Sequence, residues 1–229
     1  DRKPPKAPFN PLKERLVRMG TQSLTDGGGA KFTIDAVVVH GAYTTAAKKH
    51  DIALVHVREV AKIAPLLGSS LEAITLNKPT DPALVSKEQL RVTGWGAMVA
   101  LPDESTPRRD AANNALRTPP DLMQLAVLNF TDGRCATEPK LKKVADANFA
   151  ICAGSLTAEE DSCTGDSGGP LTRSIGGKRV LVGVVSVGVG CRIKGKGAIY
   201  TRVSAYYNWI EAAKKQPLGL TFIKPSPKR

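Results

Sequence analysis

A glycine-rich run around one serine, Gly165-Asp166-Ser167-Gly168-Gly169-Pro170, constrains this chain more than any other stretch. Glycines on both sides of a serine let the backbone make a tight turn and leave little bulk near the hydroxyl. Such a turn can expose the Ser167 oxygen and point backbone N–H groups at the place where an oxyanion would develop. The alternative is a Gly/Pro-rich surface turn. The order of the surrounding segments favours a nucleophile.

One fold that carries a Gly-x-Ser-x-Gly run is excluded by this order. In the α/β-hydrolase elbow a strand precedes the serine, a helix follows it, and the histidine comes last. Here the segment Thr157–Thr164 is polar, and Pro170 follows the serine closely. All three histidines precede Ser167, at His40, His50 and His56. The order that remains is histidine, aspartate, serine.

Short strands separated by Gly/Pro turns dominate the rest of the sequence. Runs of β-branched, partly alternating residues predict strands at Lys31–Val39, Ala53–Val57, Leu90–Trp95, Gln124–Phe130, Lys178–Val189 and Ala198–Val203. One convincing helix is C-terminal, where apolar residues repeat at helical spacing from Val203 to Ala213. Ser204 is its expected N-cap, and Pro217 is expected to stop it. This pattern favours an all-β barrel or sandwich.

Composition and cysteine count narrow the class of protein. The 229 residues carry a net charge of +12, which favours anionic partners such as a polysaccharide or another anionic surface. Because Lys and Arg are spread along the chain, we prefer solubility as the explanation, and no aromatic-and-basic stripe predicts a specific nucleic-acid partner. The four cysteines form no C-x-x-C pair, so we expect no metal and no cofactor. They allow two disulfides in three connectivities, which implies an oxidising compartment.

Five segments carry a family resemblance because they stand in one order with plausible gaps. They are His50–Leu54, Val92–Gly96, Ile151–Gly154, Asp161–Pro170 and Ile199–Val203. Together they resemble the trypsin/chymotrypsin-like serine protease family. The resemblance implies two six-stranded antiparallel Greek-key barrels, the N-terminal one incomplete, and a C-terminal helix. It divides the chain into a partial barrel at 1–77, a second barrel with its helix at 78–216, and a tail at 217–229.

The resemblance also implies catalytic roles. Ser167 resembles the nucleophile, and the backbone N–H groups of Gly165 and Ser167 would form the oxyanion hole. Asp51 resembles the acid that orients the catalytic histidine; its alternative is an ordinary aspartate at the start of a strand. Ser186 resembles the serine near that carboxylate. Asp166 resembles the acid that pairs with the new N-terminus after zymogen cleavage.

Substrate recognition follows from the same resemblance. Asp161 falls where trypsin-like members keep a carboxylate that selects Lys or Arg before the scissile bond, although a solvated acidic loop is the alternative. Ser186-Val187-Gly188 would pair with an extended peptide or protein substrate. An aromatic residue is usual at the position of Val187, so we expect a more open pocket. Ala198 replaces a usual glycine, and its methyl group would narrow the pocket. The implied disulfides are Cys135–Cys152 and Cys163–Cys191.

The family's Ala-Ala-His-Cys segment does not occur in the sequence. His50 adjoins Asp51, and neighbours in an extended chain project to opposite faces, so these two are not expected to pair. His40 satisfies the required order but resembles a structural histidine of the family, and we interpret His56 as structural. We therefore expect a fragment whose catalytic histidine comes from an upstream chain of the same precursor, so that this chain alone is inactive.

Two hypotheses follow. In the first, the protein is a secreted or otherwise extracytoplasmic trypsin-like endopeptidase that acts on protein or peptide substrates. In the second, it is a non-catalytic homologue that binds a partner or an anionic surface. Retention of Ser167, Asp51, Asp161 and Gly165 favours the first, because a binding module has no chemical need for all four.

Overall fold

Ten strands and two α-helices form the described part of the chain. The computed structural model describes residues 16–58, 63–69, 71–98, 119–156, 161–190 and 193–215. The strands are β1 Leu16–Met19, β2 Ala30–Val39, β3 Ala53–Val57, β4 Thr75–Leu76, β5 Gln89–Gly94, β6 Met123–Asn129, β7 Ala150–Gly154, β8 Pro170–Ile175, β9 Lys178–Gly188 and β10 Gly197–Arg202. The helices are α1 Arg134–Thr137 and α2 Val203–Ala213, and a 3-10 turn covers Ala64–Leu66.

Six of the strands close into a barrel. Their order is β10-β7-β6-β5-β8-β9, and β9 pairs back with β10. All these pairings are antiparallel, whereas the short β4 adds to β9 in parallel. Alternate residues of each strand point inward, and the barrel is filled by apolar side chains that include Leu90, Val127, Ile151, Val182 and the fully buried Tyr200.

A second, smaller sheet precedes the barrel. Its order is β1-β2-β3, and both pairings are antiparallel. The all-β architecture, with one closed six-stranded barrel, a second sheet and a C-terminal helix, confirms the fold class expected from the sequence. The division at residue 77 remains a prediction, and the tail at 217–229 lies outside the described residues.

The C-terminal helix joins the two sheets. Val203, Tyr206 and Ile210 recur at helical spacing and are buried against Ile52, which directly precedes β3. Leu181 of β9 packs on the same cluster. The prediction of Ser204 as the N-cap was wrong. The N-cap is Arg202, which makes no side-chain capping hydrogen bond, and Ser204 lies inside the helix.

Four strands were not predicted from the sequence patterns. Strand β1 is only four residues long, and β4 has only two residues. In β7 both faces are mostly buried, so polar and apolar residues do not alternate. Strand β8 starts at a proline and buries Thr172 and Arg173, whose polar side chains break the apolar pattern.

One disulfide fastens the end of the barrel near α1. Cys135 and Cys152 are bonded, as the resemblance implies. The approach of the two sulfurs requires a glycine on the neighbouring strand, because a Cβ at Gly197 would lie 2.9 Å from Sγ of Cys135 and 3.0 Å from Sγ of Cys152. Cys163 is also disulfide-bonded. Its implied partner, Cys191, lies outside the described residues.

Candidate active site

The serine loop exposes Ser167 to solvent in a turn whose backbone has a positive φ, which favours glycine, at two positions. Gly165 has φ 103° and Gly168 has φ 84°, both in the left-handed region. The N–H groups of Asp166, Gly168 and Gly169 donate to Cys163, Val185 and Asp166 carbonyl oxygens, respectively. Within the described residues, the N–H groups of Gly165 and Ser167 have no acceptor, and both residues are exposed. The turn therefore leaves unpaired the two donors that an oxyanion hole requires.

The side chain of Asp166 stabilises this turn through two hydrogen bonds. Its Oδ1 accepts a hydrogen bond from the N–H of Gly96 at 2.8 Å, and its Oδ2 accepts one from the N–H of Cys163 at 2.9 Å. A Cβ on Gly94 or Gly96 would lie closer than 3.0 Å to the carboxylate. The absence of side chains at Gly94 and Gly96 thus leaves the space that the Asp166 carboxylate occupies. The Gly94-Trp95-Gly96 segment and the serine loop are therefore in direct contact.

Asp51 reaches the same region from the other sheet. Its Oδ2 accepts a hydrogen bond from Ser186 Oγ at 2.7 Å, and its backbone carbonyl accepts one from Thr201 Oγ1 at 2.7 Å. Ser186 directly follows Val185, which exchanges backbone hydrogen bonds of 2.9 Å with Gly168 and Gly169. Asp51 is therefore attached to the strand that flanks the Ser167 turn, although 116 positions separate the two residues in the sequence.

The open edge of β9 lies beside Ser167. Strand β8 begins at Pro170, which pairs with Val184, so β9 extends beyond the end of β8. Residues 186–188 keep β10 as a neighbour on one side, where Gly188 faces Ala198 and Val187 faces Ile199. The buried Ala198 methyl carbon would lie 3.7 Å from a Cβ on Gly188. Residues 186–188, which are predicted to bind the substrate backbone, and Ala198, which is predicted to narrow the pocket, are thus direct neighbours.

Asp161 is partly buried, and desolvation together with the nearby Asp166 charge raises the pKa of its carboxyl to about 7. Its Oδ1 accepts a hydrogen bond from the N–H of Ser162 at 2.8 Å. The buried Ser162 hydroxyl lies 3.1 Å from the hydroxyl of Tyr200. Asp161 and Asp166 line one cavity of about 230 Å³ together with Met123. Desolvation thus favours the neutral form of the Asp161 carboxyl.

The three histidines make contacts away from Ser167. His56 Nδ1 lies 2.6 Å from Oδ1 of Asp35, and this contact lowers the pKa of Asp35. His50 Nδ1 lies 3.0 Å from the hydroxyl of Tyr206. The His40 ring stacks on that of His50 at 5.2 Å, and burial lowers its pKa. No hydrogen bond joins Ser167 to a histidine in the part of the chain that the structure describes.

The expectation of an extended chain at His50 and Asp51 was wrong. His50 is not extended: its φ is 54°, and β3 begins only at Ala53. His50 and Asp51 line one cavity with Ser186 and Tyr206. His50 nevertheless uses Nδ1 for Tyr206, whereas Asp51 accepts its hydrogen bond from Ser186.

Sequence reasoning missed the side chains that contact Asp51, His40 and His50. Tyr206 and Trp209 of α2 pack edge-on against His40 with ring centroids 5.2 and 5.1 Å apart, and Thr201 binds the Asp51 backbone. Tyr206 was recognised only as part of an apolar helix face. A hydroxyl on an otherwise buried aromatic residue was the one available signal, because buried tyrosine hydroxyls usually find a partner.

Comparisons with known proteins agree with this geometry. A family model described as Trypsin matches residues 12–210. Transmembrane protease serine 11G of Rattus norvegicus is 32% identical over 180 residues, which cover 78% of this chain and 38% of that protein. Vitamin K-dependent protein C of Oryctolagus cuniculus is 30% identical over 223 residues, 90% of this chain and 44% of that protein. Trypsin-1 of Astacus astacus is 29% identical over 196 residues, 83% of this chain and 70% of that protein.

The chain belongs to the trypsin family. It spans about two fifths of the length of the rat protease and of the rabbit protein that it matches. In the described residues no helix is both long enough and apolar enough to cross a membrane.

Proposed function

We propose that this chain carries the nucleophile, the oxyanion hole and the acid of a trypsin-like endopeptidase. The observation that carries the proposal is the hydrogen-bonding pattern of the serine turn. The N–H groups of Gly165 and Ser167 lack a described acceptor, while those of Asp166, Gly168 and Gly169 all donate. These two solvent-exposed N–H groups are therefore free to bind an oxyanion that develops beside Ser167.

In the proposed reaction, Ser167 Oγ attacks the carbonyl carbon of the scissile peptide bond. The hydroxyl proton passes to a general base, and the carbonyl oxygen becomes an oxyanion bound by the N–H groups of Gly165 and Ser167. The base then gives its proton to the leaving amine as the C–N bond breaks. Water, deprotonated by the same base, hydrolyses the acyl enzyme and restores the serine.

We propose that the general base is a histidine other than His40, His50 and His56, supplied by another segment of the same precursor. This proposal is supported by the contacts of these three rings with Tyr206, with Asp35 and with each other. Asp51, attached to Ser186, is the proposed orienter of that histidine. The 229-residue chain by itself is then expected to be inactive.

Asp161 is the proposed determinant of cleavage after Lys or Arg. The support is its burial, since a desolvated carboxyl gains most from a cation that enters the pocket. Ser186, Val187 and Gly188 are proposed to pair with the substrate backbone, and Asp166 is proposed to receive a newly freed N-terminus. An extracytoplasmic location is proposed because the disulfides suit an oxidising compartment.

A fluorophosphonate probe tests the nucleophile. We expect the natural protein to gain one adduct on Ser167, located by peptide mass spectrometry, and the Ser167→Ala variant to gain none. The 229-residue chain alone should label far more slowly. If natural protein of native melting temperature is not labelled, the chain is a non-catalytic homologue.

A second measurement tests the base. His50→Gln and His40→Gln variants of the natural protein should keep labelling rates within a few-fold of the parent, provided that their thermal melts are unchanged. If folded His50→Gln lost labelling, His50 would be the base, and the proposal of another histidine would be wrong.

A further inference from the structure

A cavity of about 280 Å³ beside the open edge of β9 is bordered by positive charge. Lys48 comes from the loop before Asp51, and Lys140 and Lys143 come from the turns after α1. Val187 and Gly188 border the same cavity, and the buried Val144 contributes an apolar wall. Two distant segments thus bring three ammonium groups to the strand that is proposed to bind substrate.

These three lysines have no carboxylate partner among the described residues. Glu138, the C-cap residue of α1, pairs with Lys196 and not with the lysines of the turns that follow α1. Lys48 also lines a neighbouring cavity with Asp51 and Asp146, but no carboxylate of the described chain lines this one. The lining of the cavity therefore carries an excess of positive charge that an anionic group can use.

The position of the cavity defines which part of a substrate would reach it. A peptide that pairs antiparallel with residues 186–188 runs from Gly188 towards Ser186, and its scissile bond lies at the Ser167 end. Each extended residue advances about 3.3 Å. The side chains opposite Val187 and Gly188 therefore belong to residues about two to four positions before the scissile bond.

We propose that this lysine cavity binds an Asp or Glu side chain located two to four residues before the scissile bond. The proposal rests on the proposed function for its orientation. Together with Asp161, it makes the preferred sequence dipolar, with a carboxylate upstream and a basic residue directly before the cleaved bond. A carboxylate suits the site because it pairs with ammonium groups while its methylene groups contact Val144 and Val187.

The first experiment measures turnover. Peptides of the form acetyl-X-X-X-Arg-aminomethylcoumarin carry Glu or Gln at one X and Ala at the others, and the natural protein is assayed for kcat/KM. We expect a Glu-over-Gln preference at one position, and each of Lys48→Gln, Lys140→Gln and Lys143→Gln should lower it about two- to fivefold. Lys178→Gln is the matched control, because Lys178 begins β9 at the end opposite Gly188. Raising the salt concentration should also reduce the preference.

The second experiment measures binding without turnover. Fluorescein-labelled Glu and Gln peptides are titrated against the Ser167→Ala natural protein by anisotropy. A Glu preference that the lysine changes remove supports the cavity even if labelling of Ser167 has failed. If the Glu and Gln peptides bind equally and have equal kcat/KM, the proposed role of the lysine cavity is overturned and the protease proposal stands. Loss of heparin retention in the lysine variants, with an unchanged Glu-to-Gln ratio, would also overturn it and assign the lysines to a polyanion surface.

Discussion

Asp161 ought to bind cations in a strongly pH-dependent way. Burial raises the pKa of its carboxyl from 3.8 to about 7, so at pH 5 the empty site is almost entirely protonated. Benzamidine, an amidinium ion, requires the ionised carboxylate. Binding must therefore release one proton at pH 5 and almost none at pH 8.5.

The size of the effect follows from the two pKa values. A difference of about 3 in pKa corresponds to about 4 kcal/mol between the two protonation states. If the bound cation returns the pKa of Asp161 to near 4, the affinity for benzamidine should rise by about two orders of magnitude from pH 5 to pH 8 and then level off. The Asp161→Asn variant should bind weakly and without this pH dependence.

The free energy of unfolding should fall as the pH rises, whereas the affinity for benzamidine should increase. Between about pH 4 and pH 7 the folded chain holds a proton on Asp161 that the unfolded chain has lost, so stability falls as pH rises. Asp161→Asn removes this penalty. The variant should therefore be more stable than the parent at pH 8, by up to about 4 kcal/mol, and nearly equal to it at pH 4.

Isothermal titration calorimetry in buffers of different ionisation enthalpy counts the protons released, and urea unfolding at pH 4 and pH 8 gives the stabilities. Exposed Asp121 supplies a control, since Asp121→Asn should alter neither result. Benzamidine affinity that is constant from pH 5 to pH 8, or equal in Asp161→Asn and the parent, would refute the assigned role of Asp161.

Two further changes test the architecture of the site. Gly96→Ala should displace the Asp166 carboxylate and lower the unfolding free energy by about 2–4 kcal/mol, because a Cβ there overlaps the carboxylate and breaks its hydrogen bonds. As the control, Gly41→Ala should leave the free energy of unfolding in urea almost unchanged, since nothing lies within 4 Å of its Cβ position. An equal loss of unfolding free energy in the two variants would contradict the proposed contact between Gly96 and Asp166. Replacing both Cys135 and Cys152 by Ser should cost about 3 kcal/mol, because the bond closes a loop with a sequence separation of 17. A melting temperature unaffected by a reducing agent would contradict this estimate.

The nucleophile loop was open to prediction because its chemistry is local. The φ values that present Ser167 demand glycine at Gly165 and Gly168, and glycine is visible in a sequence. Six of the ten described strands and the C-terminal helix were predictable for the same reason, since each of these elements follows a short-range apolar period. Where burial covers both faces, as in β7, the period disappears, and the strand could not be found this way.

The contacts between distant segments were beyond the sequence alone. A resemblance places Ser186 near Asp51, but only the structure gives the 2.7 Å hydrogen bond between them, the contact of Asp51 with Thr201, and the packing of Ile52 against α2. The structure also gives His50 a φ of 54°, outside the extended conformation expected for it. No spacing rule predicts such contacts, because they depend on how whole elements stack.

By itself, therefore, the sequence determined the all-β class and the serine turn, since glycine positions and apolar periods act over a few residues, and five ordered segments carried the resemblance to the family. Only the tertiary structure decided which N–H groups of that turn stay unpaired, that burial raises the pKa of Asp161, and that Lys48, Lys140 and Lys143 meet at one cavity. Those properties depend on desolvation and on the proximity of residues far apart in the chain, and both arise only when the barrel closes.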